Sequence, residues 1–393
     1  MGAPRGGGSA PRATRGFVSA NTKGPARVAY FSDAPWAGGA ERYLHLLASN
    51  LPRDEFSPCL VVDDAGRLET LCSWMRDSGV PVHEAAISFP PGARSAARFV
   101  RTLRGLDVSI LHCNMPGPWG SLYGFAAPLA KLAGARGVVS TEHLPMIPPF
   151  AKGALLKRIG GAFIDRVLTV SEDNARWLRE RHRVPARKIR VVRIGIPDPE
   201  AANGASVRSA LGFGAGDFVC LMAGSLEERK GHRFAFEALS RLPARVKLVV
   251  AGAGESGETL RERAAALGIA ERIRFLGFRG DIFALLAACD VLLVPSLLEA
   301  TPYVIVEAMA LARPVVASRI FGIPELVADG RTGMLVEPGS VDALVRAIGE
   351  LESDSELAAR LGEAGRGSFE REFRVERCVA ETVSIYREIL KRR

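Results

Sequence analysis

The stretch PSLLEATPYVIVEAMALARPVVAS, residues 295–318, carries two glutamates, Glu299 and Glu307, with seven residues between them. It follows an apolar run from Asp290 to Pro295 that reads as a strand, and it continues into a helix. Thr301 is expected at the N-cap and Pro302 at the first helical position, where a missing N–H costs nothing. The N–H groups of Tyr303 and Val304 are then orphan donors at the positive end of the helix, a ready anion site. Glu299 lies in the loop before these donors, and Glu307 stands one turn further in. Two carboxylates around such a helix start suit an anion that also carries hydroxyl groups. A nucleotide sugar has that chemistry.

Working outward, apolar runs alternate with helical stretches. RVAYFS (27–32), FSPCLVVDD (56–64), VSILHCN (108–114), GVVSTEH (137–143) and RVLTVSE (166–172) read as strands, with helices such as ERYLHLLASNL (41–51) between them. Their continuous apolar character suits a parallel sheet buried on both faces. The pattern restarts with FVCLMAGS (218–225), VKLVVAGAG (246–254), RIRFLG (272–277), VLLVPS (291–296) and PVVAS (314–318). Two series of βα units imply two doubly wound α/β domains, with ligands bound beyond the carboxyl ends of the strands. The expected division is a disordered basic tail at 1–24, a first domain at 25–200, a second at 201–373, and a C-terminal helix at 374–393 that packs back toward the first domain.

Length and composition agree. A chain of 393 residues is too long for one ordinary core, and 48% apolar content supports globular packing. No apolar run approaches the ~18 residues that span a bilayer. The six cysteines, at 59, 72, 113, 220, 289 and 378, have no paired spacing and read as buried free thiols in a reducing compartment. They argue against a metal site. The first 24 residues lack the apolar segment of a signal peptide, which fits a cytoplasmic chain. Residues 1–195 hold 27 Lys and Arg against 15 Asp and Glu, a net of +12, whereas the remainder holds 25 against 28, a net of −3. The basic half is expected to attract an anionic partner. Arg94, Arg98 and Arg101 share one face of a helix, and AKGALLKRIGGAFIDR (151–166) could lie in a membrane interface; both can equally be solvated faces.

Further motifs converge on the same cleft. Gly38 and Gly39 precede a helix in APWAGGAERYL, where the backbone can approach a phosphate or sugar, or simply open the helix. In AGSLEERKGHRF, Lys230 and Gly231 open a helix after a strand and aim an ammonium group at a diphosphate. His143 in STEHLP can bond a substrate hydroxyl, with His112 in LHCN as competitor. Gly252, Gly254 and Gly257 form a GxGxxG, the fingerprint of a dinucleotide-binding domain. No acidic residue ends the following strand, and this unit is the second of its domain, so NAD(P)-dependent oxidoreduction is disfavoured.

Taken in order, these elements resemble the family-four retaining glycosyltransferases of the GT-B fold over nearly all of residues 26–393. The most specific part is the E-x7-E pair Glu299 and Glu307, followed by EAMALARPVVAS and GIPELVADGRTGMLVEPGS. The resemblance implies two Rossmann-like domains facing across a cleft. It implies that Glu299 contacts the donor sugar, Glu307 holds the ribose hydroxyls and Lys230 binds the diphosphate. Phe278, Arg279 and Ile282 would contact the base. Where the family has Gly-Arg-Leu the chain reads Gly224-Ser225-Leu226, so a cationic contact is missing that Arg229 would have to replace. The usual Pro-Asn-Gly hinge is Arg193-Ile194-Gly195.

The expected reaction is retaining transfer from a nucleoside-diphosphate sugar, a UDP-sugar before others, to an acceptor glycan, lipid or small molecule. Catalytic roles fall to Glu299, His143 and Lys230, and diphosphate charge is stabilised without a metal or cofactor. Peripheral contact with an anionic membrane is expected through the basic first domain. A nucleotide-sugar epimerase of the same fold is the alternative. A non-catalytic nucleic-acid or anion binder is opposed by 7% aromatic content and the lack of a basic–aromatic repeat.

Overall fold

The computed structural model describes residues 24–32, 34, 37–85, 92–115, 123–144, 160–200 and 203–392. The expected basic tail and most of the 151–166 stretch lie outside them. The first sheet comprises β1 Ala26–Ser32, β2 Phe56–Val62, β3 Val82–Glu84, β4 Ile110–Met115, β5 Gly137–Glu142, β6 Arg166–Thr169 and β7 Ile189–Val191, in the order β3-β2-β1-β4-β5-β6-β7. The second comprises β8 Phe218–Ala223, β9 Val246–Ala251, β10 Ile273–Gly277, β11 Val291–Val294, β12 Val315–Ser318 and β13 Met334–Val336, in the order β10-β9-β8-β11-β12-β13. Every pairing between these strands is parallel. In each sheet the order reverses beside the first strand, at β1/β4 and at β8/β11. The loops leaving those strands splay apart and open a crevice.

Ten strands were readable from apolar runs; β3, β7 and β13 were not. Each is three residues long and sits at a sheet edge. An edge strand of that length has no room for a periodic or continuous apolar signal.

The chain crosses between the sheets twice, side by side. The Ile196 N–H donates to the Phe373 carbonyl (3.0 Å), and the Val375 N–H donates to the Ile196 carbonyl (3.0 Å). Gly195 is required there, because a Cβ would lie 2.7 Å from the Arg374 carbonyl oxygen. The helix Val375–Lys391 then lies on the first sheet. A Cβ on Gly137 of β5 would meet an Ile389 methyl at 2.2 Å, so the contact is as close as a missing side chain allows. Tyr386 is fully buried there among Tyr30, Phe56 and His112. Burying a side chain of that size contributes ~2–3 kcal/mol, which ties the last helix of the chain to its first strand.

Candidate active site

The second domain supplies a wall of charge. β8 is followed by Gly224, whose φ of 143° few other residues adopt. A single turn, Glu228–Lys230, follows, and Gly231 caps the helix His232–Arg241 at φ 72°. A Cβ on Gly231 would fall 2.0 Å from the Pro295 carbonyl oxygen, so glycine lets this turn press against the end of β11. The turn delivers Lys230 to Glu299: the ammonium pairs with one carboxylate oxygen, and Arg229 Nη1 approaches the other at 3.3 Å. Arg229 also donates from Nε to Glu227 at 2.6 Å. It is therefore held between two acids. Ser225 lies half-buried on the same loop and hydrogen-bonds the Glu227 side chain.

The helix after Glu299 begins one residue later than expected. It spans Tyr303–Ala310, and Pro302, at φ −68° and ψ 124°, is its N-cap. Thr301 consequently does not cap it; its hydroxyl is buried without a hydrogen-bond partner. Proline fixes φ but leaves ψ free to take the extended value an N-cap needs. The uncapped start survives the shift. Tyr303 and Val304 still precede the first intrahelical bond, from the Ile305 N–H to the Pro302 carbonyl (3.1 Å), and no side chain caps the end. Gly224, Lys230, Ser296, Glu299 and Val304 line one small cavity with His232, which the sequence reading did not single out. His232 Nδ1 is buried and unpartnered, and burial followed by Lys230 pushes its pKa down to about 4. Its only sequence signal is its place directly after Lys230-Gly231.

The first domain supplies a wall of hydrogen bonds. Gly38 is extended (φ −129°) and Gly39 is helical, so neither needs the positive φ that glycine permits. Gly39 instead faces the second domain, where its Cβ would lie 3.7 Å from the Tyr303 ring. The Gly38 N–H donates to Glu41 (3.0 Å), which also accepts from Ser32 Oγ (3.2 Å) and Asn114 Nδ2 (3.4 Å). Asn114 Nδ2 also donates to the Ala40 carbonyl (3.0 Å), which leaves its Oδ1 to accept from His143 Nε2 at 2.8 Å. His143 is then the Nε2–H tautomer with Nδ1 as an acceptor. Burial pushes its pKa down to about 3 and raises that of Glu41. His112 is a core residue: Nδ1 meets the Tyr386 hydroxyl, and Nε2 meets the Thr141 hydroxyl at 2.7 Å.

The walls meet. Arg42, three residues past Gly39, pairs with Glu307 across the cleft and lies 5.4 Å from the Tyr303 ring centre. Glu307 is 2% exposed; burial raises its pKa and the Arg42 guanidinium opposes that rise. Glu325 accepts from the Glu172 and Asp173 N–H groups, both at 2.8 Å, at the start of the helix Glu172–Glu180. At the rim, Phe278 is 79% exposed, Arg279 pairs with Asp281, and Ile282 opens the helix Ile282–Ala288. The GxGxxG has a packing explanation. A Cβ on Gly252 (φ 158°) would lie 1.8 Å from the Gly224 carbonyl oxygen, and one on Gly254 would lie 2.6 Å from that of Leu226. These glycines let the β9 loop press against the β8 loop. Among the described residues, no group of three metal-ligating side chains is assembled.

Two parallel sheets with a charged, donor-rich crevice between their carboxyl ends define a GT-B glycosyltransferase. Residues 37–198 match Glycosyltransferase Family 4, and residues 206–368 match glycosyl transferases group 1. The chain is 31% identical over 359 residues to the GDP-mannose-dependent alpha-(1-6)-phosphatidylinositol monomannoside mannosyltransferase of Mycolicibacterium smegmatis, covering 84% of this chain and 90% of that one. The Mycobacterium tuberculosis protein of the same description is 31% identical over 302 residues, covering 70% and 75%. The Anabaena HepE structure in complex with UDP superposes with a TM-score of 0.80 at 24% identity, over 91% of this chain and all of that one. The chain therefore belongs to the family-four, group 1 glycosyltransferases.

Proposed function

We propose that this glycosyltransferase moves a hexose from a nucleoside-diphosphate sugar to an acceptor hydroxyl with retention at the anomeric carbon. The observation that carries this reading is the convergence of Lys230, Glu299 and Val304, at the uncapped start of its helix, on one cavity. The donor diphosphate takes Lys230 and the amides of that start, and Glu299, released from the ammonium, accepts from a sugar hydroxyl. Glu307 reads the ribose with the oxygen that Arg42 leaves open. His143 Nδ1 accepts from a hydroxyl on the reacting sugar.

Glu41 is held by three donors, so it clamps the glycine loop and does not serve as a nucleophile. The acceptor oxygen then bonds to the anomeric carbon on the face that the phosphate leaves. The carbon–oxygen bond to phosphate breaks, and the acceptor proton passes to the departing phosphate. A lysine and a helix start supply the positive charge that a metal would otherwise provide.

A UDP-sugar is the donor expected from sequence. A GDP-sugar is the second reading, favoured by the two mannosyltransferases whose descriptions specify GDP-mannose. Thermal shift with UDP, GDP, ADP and TDP and their sugars separates the two. Proton NMR of the product's anomeric centre tests retention, and turnover in chelator tests metal independence. Epimer formed without acceptor would replace transfer by epimerisation. The acceptor reading is a glycan, lipid or small molecule, with the basic first half of the chain, net +12 over residues 1–195, against an anionic membrane.

A further inference from the structure

A cavity of about 350 Å³ lies away from the cleft, at the amino ends of β6 and β7. Nucleotides bind beyond the opposite, carboxyl ends, so the length of β6, ~13 Å, separates the two sites. Arg166, Arg187, Lys188, Arg190 and Arg392 line this cavity with Asp165 and Glu388. The acids are already engaged. Asp165 accepts from Lys131 at 2.7 Å and from the Val138 N–H at 2.8 Å, and Glu388 is divided between Arg166 and Arg392.

The cations are only partly satisfied in return: Arg166 and Arg392 share Glu388, and Arg166 Nη1 donates to the Asp165 carbonyl at 2.8 Å. Arg166 is only 4% exposed, yet its Nε is buried with no partner. Among the described residues, Lys188 Nζ meets the carbonyls of Gly161 (3.0 Å) and Ala162 (3.2 Å). Arg190 Nη1 likewise donates to the carbonyls of Ile189 (2.9 Å) and Arg187 (3.2 Å). Burial lowers the Lys188 pKa, Asp165 opposes this, and Arg187, Arg166 and Lys131 add to it.

Like charges gathered around a void, with donors to spare, are stabilised by an anion that carries several acceptor oxygens. We propose that this cavity binds a phosphate group. The group can be free phosphate or the headgroup phosphate of a lipid. Phe163, 42% exposed, lies in sequence between the lining residues Ala162 and Ile164, an exposed aromatic next to the site in the chain.

The test uses the full chain and the double variant Arg187→Ser, Arg190→Ser. Arg187 is exposed, and the Arg190 side chain bonds backbone carbonyls, so folding should persist; circular dichroism and Tm check this. The control is Arg94→Ser, Arg98→Ser, which removes the same charge from an exposed helix elsewhere. Inorganic phosphate is titrated by calorimetry, and flotation is scored with phosphatidylcholine vesicles with and without phosphatidylglycerol. The expected result is an about tenfold weaker phosphate affinity in the cavity variant only, with donor turnover unchanged. Loss of flotation with the anionic vesicles in the same variant assigns the phosphate to a lipid; intact flotation assigns it to free phosphate. Equal losses of phosphate affinity in variant and control, or no loss of phosphate affinity in either, overturn the proposal.

Discussion

On the second domain's wall of the cleft, Glu299 is matched by Lys230 and Arg229, and Glu307 by Arg42 reaching across. On the first domain's wall, Glu41, Asn114 and His143 form a chain of hydrogen bonds, with burial opposing charge on both Glu41 and His143. The difference assigns the work. Charged groups that a ligand can displace sit where a diphosphate and its sugar would lie. The hydrogen-bonded groups fix a loop and a tautomer where an acceptor would approach. On the proposed function, one wall would exchange partners on binding while the other kept its shape.

The sharpest way to break this comparison is Glu299→Ala. It should lower kcat by about 10²–10³-fold while Tm stays within a few degrees, as for loss of a polar group aimed at the reacting centre. Near-normal turnover would remove Glu299 from the site. The neutral wall is tested by acid. Histidines held to about 3 in the fold bind protons near 6.5 once unfolded, so the unfolded state gains protons first as pH falls. Stability should therefore be full above pH ~6.5 and decline between there and pH ~3, by up to about 1.4 kcal/mol per pH unit for each of His112 and His143. Chemical denaturation at a series of pH values measures it; a flat profile across that window contradicts neutral burial.

Arg42→Gln probes the contact between the walls. Donor affinity should fall about tenfold, because the buried Glu307 carboxylate loses its counter-charge, and Arg42→Lys should recover part of it. Calorimetric Kd values decide, and tighter binding in the glutamine variant would make the ion pair a competitor of the donor. The smallest effect belongs to the rim. Phe278→Ala should weaken nucleotide binding only a few-fold with Tm unchanged, since its ring already faces solvent.

What was legible in the chain follows range. Glu299, Lys230 and the Tyr303 helix start announce themselves within short stretches of sequence. The helix boundary was misplaced by one residue, because threonine and proline are each acceptable at the N-cap and only ψ at Pro302 separates them. Glu41, Asn114 and Arg42 were missed because each acquires its meaning from a distant partner: Asn114 lies 73 residues from Glu41, and Arg42 lies 265 from Glu307. The GxGxxG was a motif without its function. Local spacing could not show that another loop's carbonyl occupies the space a side chain on Gly252 would need.

The sequence by itself determined the two βα series and, to within one residue, the helix start after Glu299, because apolar runs and helix ends are local properties of the chain. Only the tertiary structure decided that His112 is held in the core between two hydroxyls, which charges are already paired, and that surplus cations surround a second cavity behind β6 and β7. Those depend on burial and on partners brought together from opposite ends of the chain, and a dielectric environment is a property of packing, not of residue order.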